Sequence, residues 1–173
     1  MTWDEYYLGM ASLVSRKSKD PSTKCGAVIV AKSNAVLSIG FNGFPRGVAE
    51  VHTAPALPTE GKLIAERWER PQKYRWVVHA EMNAILNAAR HGISLEGSRL
   101  YTTTLPCSEC VKAIIQAGIK EVISIEQVGV GTGTHWFHDD IERTMFMEAR
   151  VILRVLPRIP TDVLASSVQG TYG

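Results

Sequence analysis

Residues 99–125 read as strand, helix, strand, and no other stretch restricts the fold of this chain as sharply. The run 99–104 is apolar and Thr-rich, 108–117 sets Val111, Ile114 and Ile115 at helical spacing before Gly118, and 121–125 is β-branched again. A strand that returns to its sheet through a helix comes back parallel to itself, so these two strands are expected as parallel neighbours.

The flanking sequence adds further elements in an orderly way. Residues 3–17 place Tyr6, Tyr7, Met10, Leu13 and Val14 three and four apart, which predicts an amphipathic helix closed by Asp20-Pro21. Residues 25–31 and 36–41 are rich in Val and Ile around a polar Lys32-Ser33-Asn34 turn, an antiparallel hairpin, and the Asn42 to Gly47 stretch is a loop. Residues 79–90 form the clearest helix, with Gly92 as its left-handed stop. After a glycine-rich loop at 129–133, a helix is expected over 139–148 and a last strand over 150–156. Residues 49–73 are charged, Pro-flanked and weakly periodic, and read as an insertion whose short helix, 62–70, projects from the body. With no repeat and no internal boundary, residues 1–173 are expected as a single domain, with an insertion around 49–75 and a loosely held tail from 157.

Composition narrows the class. At 173 residues, 45% hydrophobic and 21% charged, the chain can bury an ordinary core. Nineteen Lys and Arg against 17 Asp and Glu leave a net charge of +2, too slight for a protein that coats polyanions, so nucleic acid and membrane are not expected as partners. No apolar run reaches the roughly 18 to 20 residues of a membrane span, and the acidic, aromatic start is unlike a signal sequence, so a cytoplasmic location is expected. Three cysteines, two of them as Cys107-x-x-Cys110, point to metal or redox chemistry rather than disulfide stapling.

His79-Ala80-Glu81 opens one expected helix and Pro106-Cys107-Ser108-Glu109-Cys110 opens another. One imidazole and two thiolates make the three protein ligands of a catalytic zinc, whose fourth position holds water. The positive end of a helix dipole lowers thiol pKa values and so helps Cys107 and Cys110 to bind as thiolates. Glu81, two residues from His79, does not share its face and is free to move protons. Taken alone, Cys107-x-x-Cys110 also fits a redox pair or half a structural zinc site, and His79 a helix histidine. Cys25 lies in a Val/Ile-rich strand and reads as a small buried thiol rather than a ligand. His91, His135 and His138 have no metal-binding spacing and read as surface residues.

The joint pattern resembles the signature of zinc-dependent nucleobase deaminases. Beyond it, the chain resembles the deoxycytidylate deaminase family from Trp3 to about Leu156. The matching pieces are Trp3-Asp4-Glu5-Tyr6-Tyr7, Ser18-Lys19-Asp20-Pro21, Gly26-Ala27-Val28-Ile29-Val30, Gly40-Phe41-Asn42-Gly43-Phe44-Pro45-Arg46-Gly47, His79-Ala80-Glu81-Met82-Asn83-Ala84-Ile85, and Pro106-Cys107-Ser108-Glu109-Cys110 with Gln116-Ala117-Gly118-Ile119-Lys120. The resemblance implies an α/β, cytidine-deaminase-like three-layer sandwich, a mixed five-stranded sheet with helices on both faces. It implies conversion of dCMP to dUMP, zinc held by His79, Cys107 and Cys110, and Glu81 as proton carrier.

It further implies a homo-oligomer, often a hexamer, activated by dCTP and inhibited by dTTP with magnesium. Asn42 should bind the nucleotide, although an Asn after a strand also makes turns. Ser22, Thr23 and Lys24 should meet phosphate, or else form a solvated basic turn, and Ala80 lines the substrate. Gly43, Arg46 and Gly47 are candidates for a regulatory nucleotide, or a solvent-facing turn, and Arg90 could join them, although the helix dipole already accounts for an Arg there.

Three departures from the family stand out. The insertion lacks the Cys and His set of a second zinc, so one zinc per chain is expected. Gln127-Val128-Gly129-Val130 stands where relatives place an aromatic, with aromatics only at Trp136 and Phe137, and Cys25 replaces a small apolar residue. The same chemistry on dCTP or a 5-substituted dCMP therefore stays open. So does a deaminase editing tRNA or single-stranded DNA, for which Arg67, Arg70, Lys73, Tyr74, Arg75 and Trp76 form the one suitable local stretch. A non-catalytic, zinc-stabilised nucleotide sensor is the third alternative, and Glu81 beside an open metal position counts against it.

Overall fold

The strands β1 (Gly26–Val30), β2 (Val36–Phe41), β3 (Arg99–Thr102), β4 (Glu121–Ile125) and β5 (Ile152–Leu156) lie in one sheet ordered β2-β1-β3-β4-β5. In this computed structural model, residues 1–49, 66–125 and 139–157 are described. β1 runs antiparallel to both β2 and β3, whereas β3, β4 and β5 are mutually parallel, as the strand-helix-strand pattern predicts. The helices are α1 (Trp3–Ser15), α2 (Lys73–Trp76), α3 (Ala80–Arg90), α4 (Ser108–Gln116) and α5 (Asp139–Glu148).

Alternation along the strands divides the apolar residues between two cores. Ala27, Ile29, Leu100 and Val122 face one way and pack with Ala84 and Ala88 of α3, Val111 and Ile114 of α4 and Phe146 of α5. Val28, Val30, Tyr101 and Ile123 face the other way, under Tyr7, Leu8 and Ala11 of α1. The result is the expected three-layer sandwich. A capping box between Thr2 and Glu5 starts α1, and Arg154 on β5 reaches both Glu121 and Asp4, tying the parallel edge of the sheet to that helix.

Close packing puts the site-bearing helix in place. A Cβ on Gly40 would lie 2.3 Å from both Ala80 O and Ala84 N, so α3 can rest on β2 only because position 40 has no side chain. The last strand starts at Ile152 rather than 150, because Arg150, with φ of 56°, turns the chain out of α5 first.

The expected projecting helix at 62–70 is corrected in part. Residues 62–65 lie outside the described residues, and from Glu66 onward the chain packs back onto the body. Trp68 stacks on Phe44 with ring centroids 4.1 Å apart, and Lys73 is buried against Asp20, so burial of a ring and pairing of a charge draw this segment inward. Among the described residues of this stretch, Glu66 is helical and the single turn α2 follows at Lys73–Trp76. The glycine-rich loop, the Gln127 to Val130 stretch, His135, Trp136, Phe137, His138 and the tail beyond Pro157 lie outside the described residues.

Candidate active site

The helix starts α3 and α4 meet at the sheet. His79 and Cys107 are the residues immediately before them, both in extended backbone, and neither side chain caps its own helix. They turn toward each other instead. Cys107 Sγ lies 3.2 Å and Cys110 Sγ 3.5 Å from His79 Nδ1, and the three ligand atoms all fall within 4.8 Å of one another. A two-way backbone bridge holds the residue before His79: Gly43 N donates to Val78 O at 3.1 Å, and Val78 N donates to Gly43 O at 2.8 Å.

The electrostatics suit a soft metal. The Cys110 hydrogen bond, opposed by burial and aided by His79, pulls the Cys107 thiol well below its ordinary range. The same bond from the other side, with burial, pushes Cys110 up. The hydrogen bond to Cys107 raises His79 against the opposing effect of burial. One nitrogen and two sulfurs, convergent within 4.8 Å, fit zinc.

Glu81 borders this ligand set without joining it. Its carboxylate is buried, with Oε1 accepting from Thr102 Oγ1 at 2.8 Å and Oε2 3.8 Å from Cys110 Sγ. Burial pushes its carboxyl above the ordinary range, against the lowering effect of its own backbone amide and of Thr102. A buried carboxyl of raised affinity, next to a metal position, is equipped to take up and return protons.

Asn42 is buried and fully engaged within the protein. Its Oδ1 accepts from Cys25 N at 2.7 Å, and Nδ2 donates to Asp20 Oδ2 at 3.0 Å and Thr23 O at 2.8 Å. Asp20 Oδ1 in turn accepts from Ser22 N, Ser22 Oγ and Thr23 N. The amides of Ser22 and Thr23 thus point inward, and Lys24 Nζ donates to Ser18 O. Lys73 Nζ closes the cluster, 2.6 Å from Asp20 Oδ2 and 2.8 Å from Ser22 Oγ. Burial would raise Asp20, but Lys73 and the two amides hold its carboxyl below the usual value.

The remaining predicted residues are more dispersed. Ala80 is buried in the first turn of α3. Gly43 is taken up in the bridge to Val78, and Arg46 Nη2 donates to Asn87 Oδ1 at 2.6 Å. Gly47 is exposed at φ of 82°, and Arg90 is exposed in the last turn of α3. Cys25 stands outside the ligand group, its thiol pushed up to about 11, chiefly by burial. The basic stretch near residue 70 is engaged with itself and the body, with Arg67 over the Trp76 ring at 4.3 Å, Arg70 over Tyr74 at 5.9 Å, and Lys73 buried.

Sequence reasoning missed two residues of this region. Thr102 had a usable signal, a polar residue at the end of a buried strand just before the Pro-Cys motif. Lys73 sat in a basic run and had no local signal for a partner 53 positions earlier.

A family model described as the cytidine and deoxycytidylate deaminase zinc-binding region matches residues 1–126. The chain belongs to this family. A probable deoxycytidylate deaminase of Drosophila melanogaster is 45% identical over 121 residues, 70% of this chain and 58% of that protein. The deoxycytidylate deaminase of Mus musculus is 38% identical over 144 residues, 83% of this chain and 71% of that protein. The chain therefore spans little more than half the length of the fly relative. The dCMP deaminase of cyanophage S-TIM5, solved in complex with dCMP and dUMP, superimposes with a TM-score of 0.63 at 28% identity, covering 88% of this chain and 95% of that one. Among the described residues, no helix is long and apolar enough to cross a membrane.

Proposed function

We propose that this chain hydrolyses dCMP to dUMP and ammonia at a zinc ion held by His79, Cys107 and Cys110. The observation that carries this reading is the buried Glu81 carboxylate, 3.8 Å from a ligand sulfur yet outside the ligand set. Zinc, when bound, supplies a water whose pKa falls from 15.7 to about 7, and so a nucleophile at neutral pH.

The protein moves the protons. Water adds to C4 of the base, the C4–N4 bond breaks, and the oxygen becomes O4 of the uracil. Of the two protons that water brings, one ends on N3 and the other leaves with ammonia, and Glu81 relays both. Thr102 holds Oε1 of the carboxylate, which leaves Oε2 as the oxygen nearest the Cys110 sulfur. Burial keeps solvent from competing for the protons.

Asn42, Ser22, Thr23, Lys24 and Ala80 are read as the nucleotide side of the site. Asn42 contributes by shaping the 20–24 turn, on which Ser22, Thr23 and Lys24 are all exposed. One zinc per chain is the reading supported by the insertion's lack of a Cys and His set. Assembly into a homo-oligomer, control by dCTP and dTTP through Gly43, Arg46, Gly47 and Arg90, and magnesium accompanying a triphosphate effector rest on the family resemblance alone.

The test is ammonia release from dCMP, dCTP, 5-methyl-dCMP and a short single-stranded oligonucleotide, with and without dCTP as effector. Turnover of dCMP, with the oligonucleotide inert, is expected. Silence on every monophosphate from fully zinc-loaded protein would overturn the reading.

A further inference from the structure

Asp20 gathers five donors on its two oxygens: Ser22 N, Ser22 Oγ and Thr23 N on Oδ1, and Asn42 Nδ2 and Lys73 Nζ on Oδ2. The side chains of the Lys73 and Asp20 pair are only 6% and 0% exposed, and the pair joins three separate segments. These are the 20–24 turn, the residue following β2, and α2 on the approach to His79.

We propose that Lys73 is a positioning residue for the phosphate side of the substrate. Through Asp20 and Ser22 it locks the 20–24 turn so that Thr23 and Lys24 face a 5′-phosphate, and thereby sets the preference for nucleotide over nucleoside. This rests on the dCMP reading above.

The amides of Ser22 and Thr23 and the hydroxyl of Ser22 are all spent on Asp20, and Ser22 Oγ also accepts from Lys73 at 2.8 Å. The Ser22 and Thr23 amides therefore cannot serve an anion while the Lys73 and Asp20 pair is intact. The exposed Thr23 side chain, and the Lys24 ammonium through the donors that Ser18 O does not take, are left to do so. A buried ion pair stabilises a fold little better than apolar residues of the same volume, because desolvation offsets the attraction, so a purely structural role is a poor account of this pair.

The experiment uses the zinc-loaded full chain as wild type, Lys73→Met, Lys73→Arg, and a double variant, Lys73→Met with Asp20→Asn. Affinities for dUMP and for deoxyuridine are measured by calorimetry, with zinc content and melting temperature alongside. In Lys73→Met, dUMP affinity is expected to fall about tenfold or more, the scale of a lost charge-assisted contact, with deoxyuridine affinity and zinc content unchanged. Lys73→Arg recovers part of the loss, and the double variant recovers melting temperature without recovering dUMP affinity. Equal loss for dUMP and deoxyuridine, or a double variant that recovers dUMP affinity with its stability, overturns the proposal. Failure of the wild type to turn over dCMP or bind dUMP overturns the substrate reading itself, and is distinguished by appearing before any substitution.

Discussion

Thr102 Oγ1 donates to Glu81 Oε1 at 2.8 Å, and both side chains are buried. The hydroxyl is the only side-chain donor on that oxygen among the described residues, so it fixes which carboxylate oxygen is left for proton transfer. Thr102→Val keeps the shape and removes the donor. We expect kcat to fall about tenfold, or ~1.4 kcal/mol of barrier, with zinc content and KM unchanged, as measured by steady-state kinetics on metal-quantified protein.

Gly40 is fixed by backbone, because Ala80 O and Ala84 N both lie 2.3 Å from where its Cβ would be. Helix α3 must move to admit a methyl group, and its first turn carries Glu81 with His79 just before it. Gly40→Ala is expected to cost about 1–3 kcal/mol in urea unfolding and to weaken zinc binding in a chelator competition. An unchanged zinc affinity would show that α3 is free to shift without disturbing its first turn.

The fold was largely legible because its signals are local. The stripe of Tyr6, Tyr7, Met10, Leu13 and Val14, the alternation in the hairpin and the helix before Gly92 all appear as helix, strand and helix, with ends shifted by a residue or two. His79, Cys107 and Cys110 were legible because both motifs sit at helix starts, where neighbours in sequence become neighbours in space. The 20–24 cluster was not. Ser22, Thr23 and Lys24 read as phosphate contacts or else a solvated basic turn, yet Asp20 turns two of their amides inward, and its partner Lys73 comes from a stretch that read as the one local surface suited to nucleic acid. Such long-range pairing leaves no periodicity behind.

Asp20 also predicts how stability responds to acid. Its carboxyl is held below the ordinary value of 3.8, so its contribution is fully present above that pH and is lost as pH falls through the lower folded-state value. Asp20→Asn should therefore be less stable than wild type at neutral pH by about 3 kcal/mol, the scale for breaking a buried pair. The gap should close as the pH is lowered below 3.8, as followed by urea unfolding across pH. A constant gap would place the effect elsewhere.

Glu142 of α5 is completely buried, and among the described residues neither carboxylate oxygen has a hydrogen-bond partner. Leaving such a group unpaired costs about 1–3 kcal/mol. Glu142→Leu is expected to recover that amount as a higher urea midpoint at unchanged slope. A lower midpoint would mean that the carboxylate finds a partner in solution.

The most direct test of the account compares zinc content and dUMP formation from dCMP in wild type and Glu81→Gln. The account predicts equal zinc in the two proteins, dUMP and ammonia in equal amounts from wild type, and neither from the variant. Wild-type turnover in Glu81→Gln, or loss of its zinc, would contradict a proton-carrying Glu81 that stands outside the ligand set.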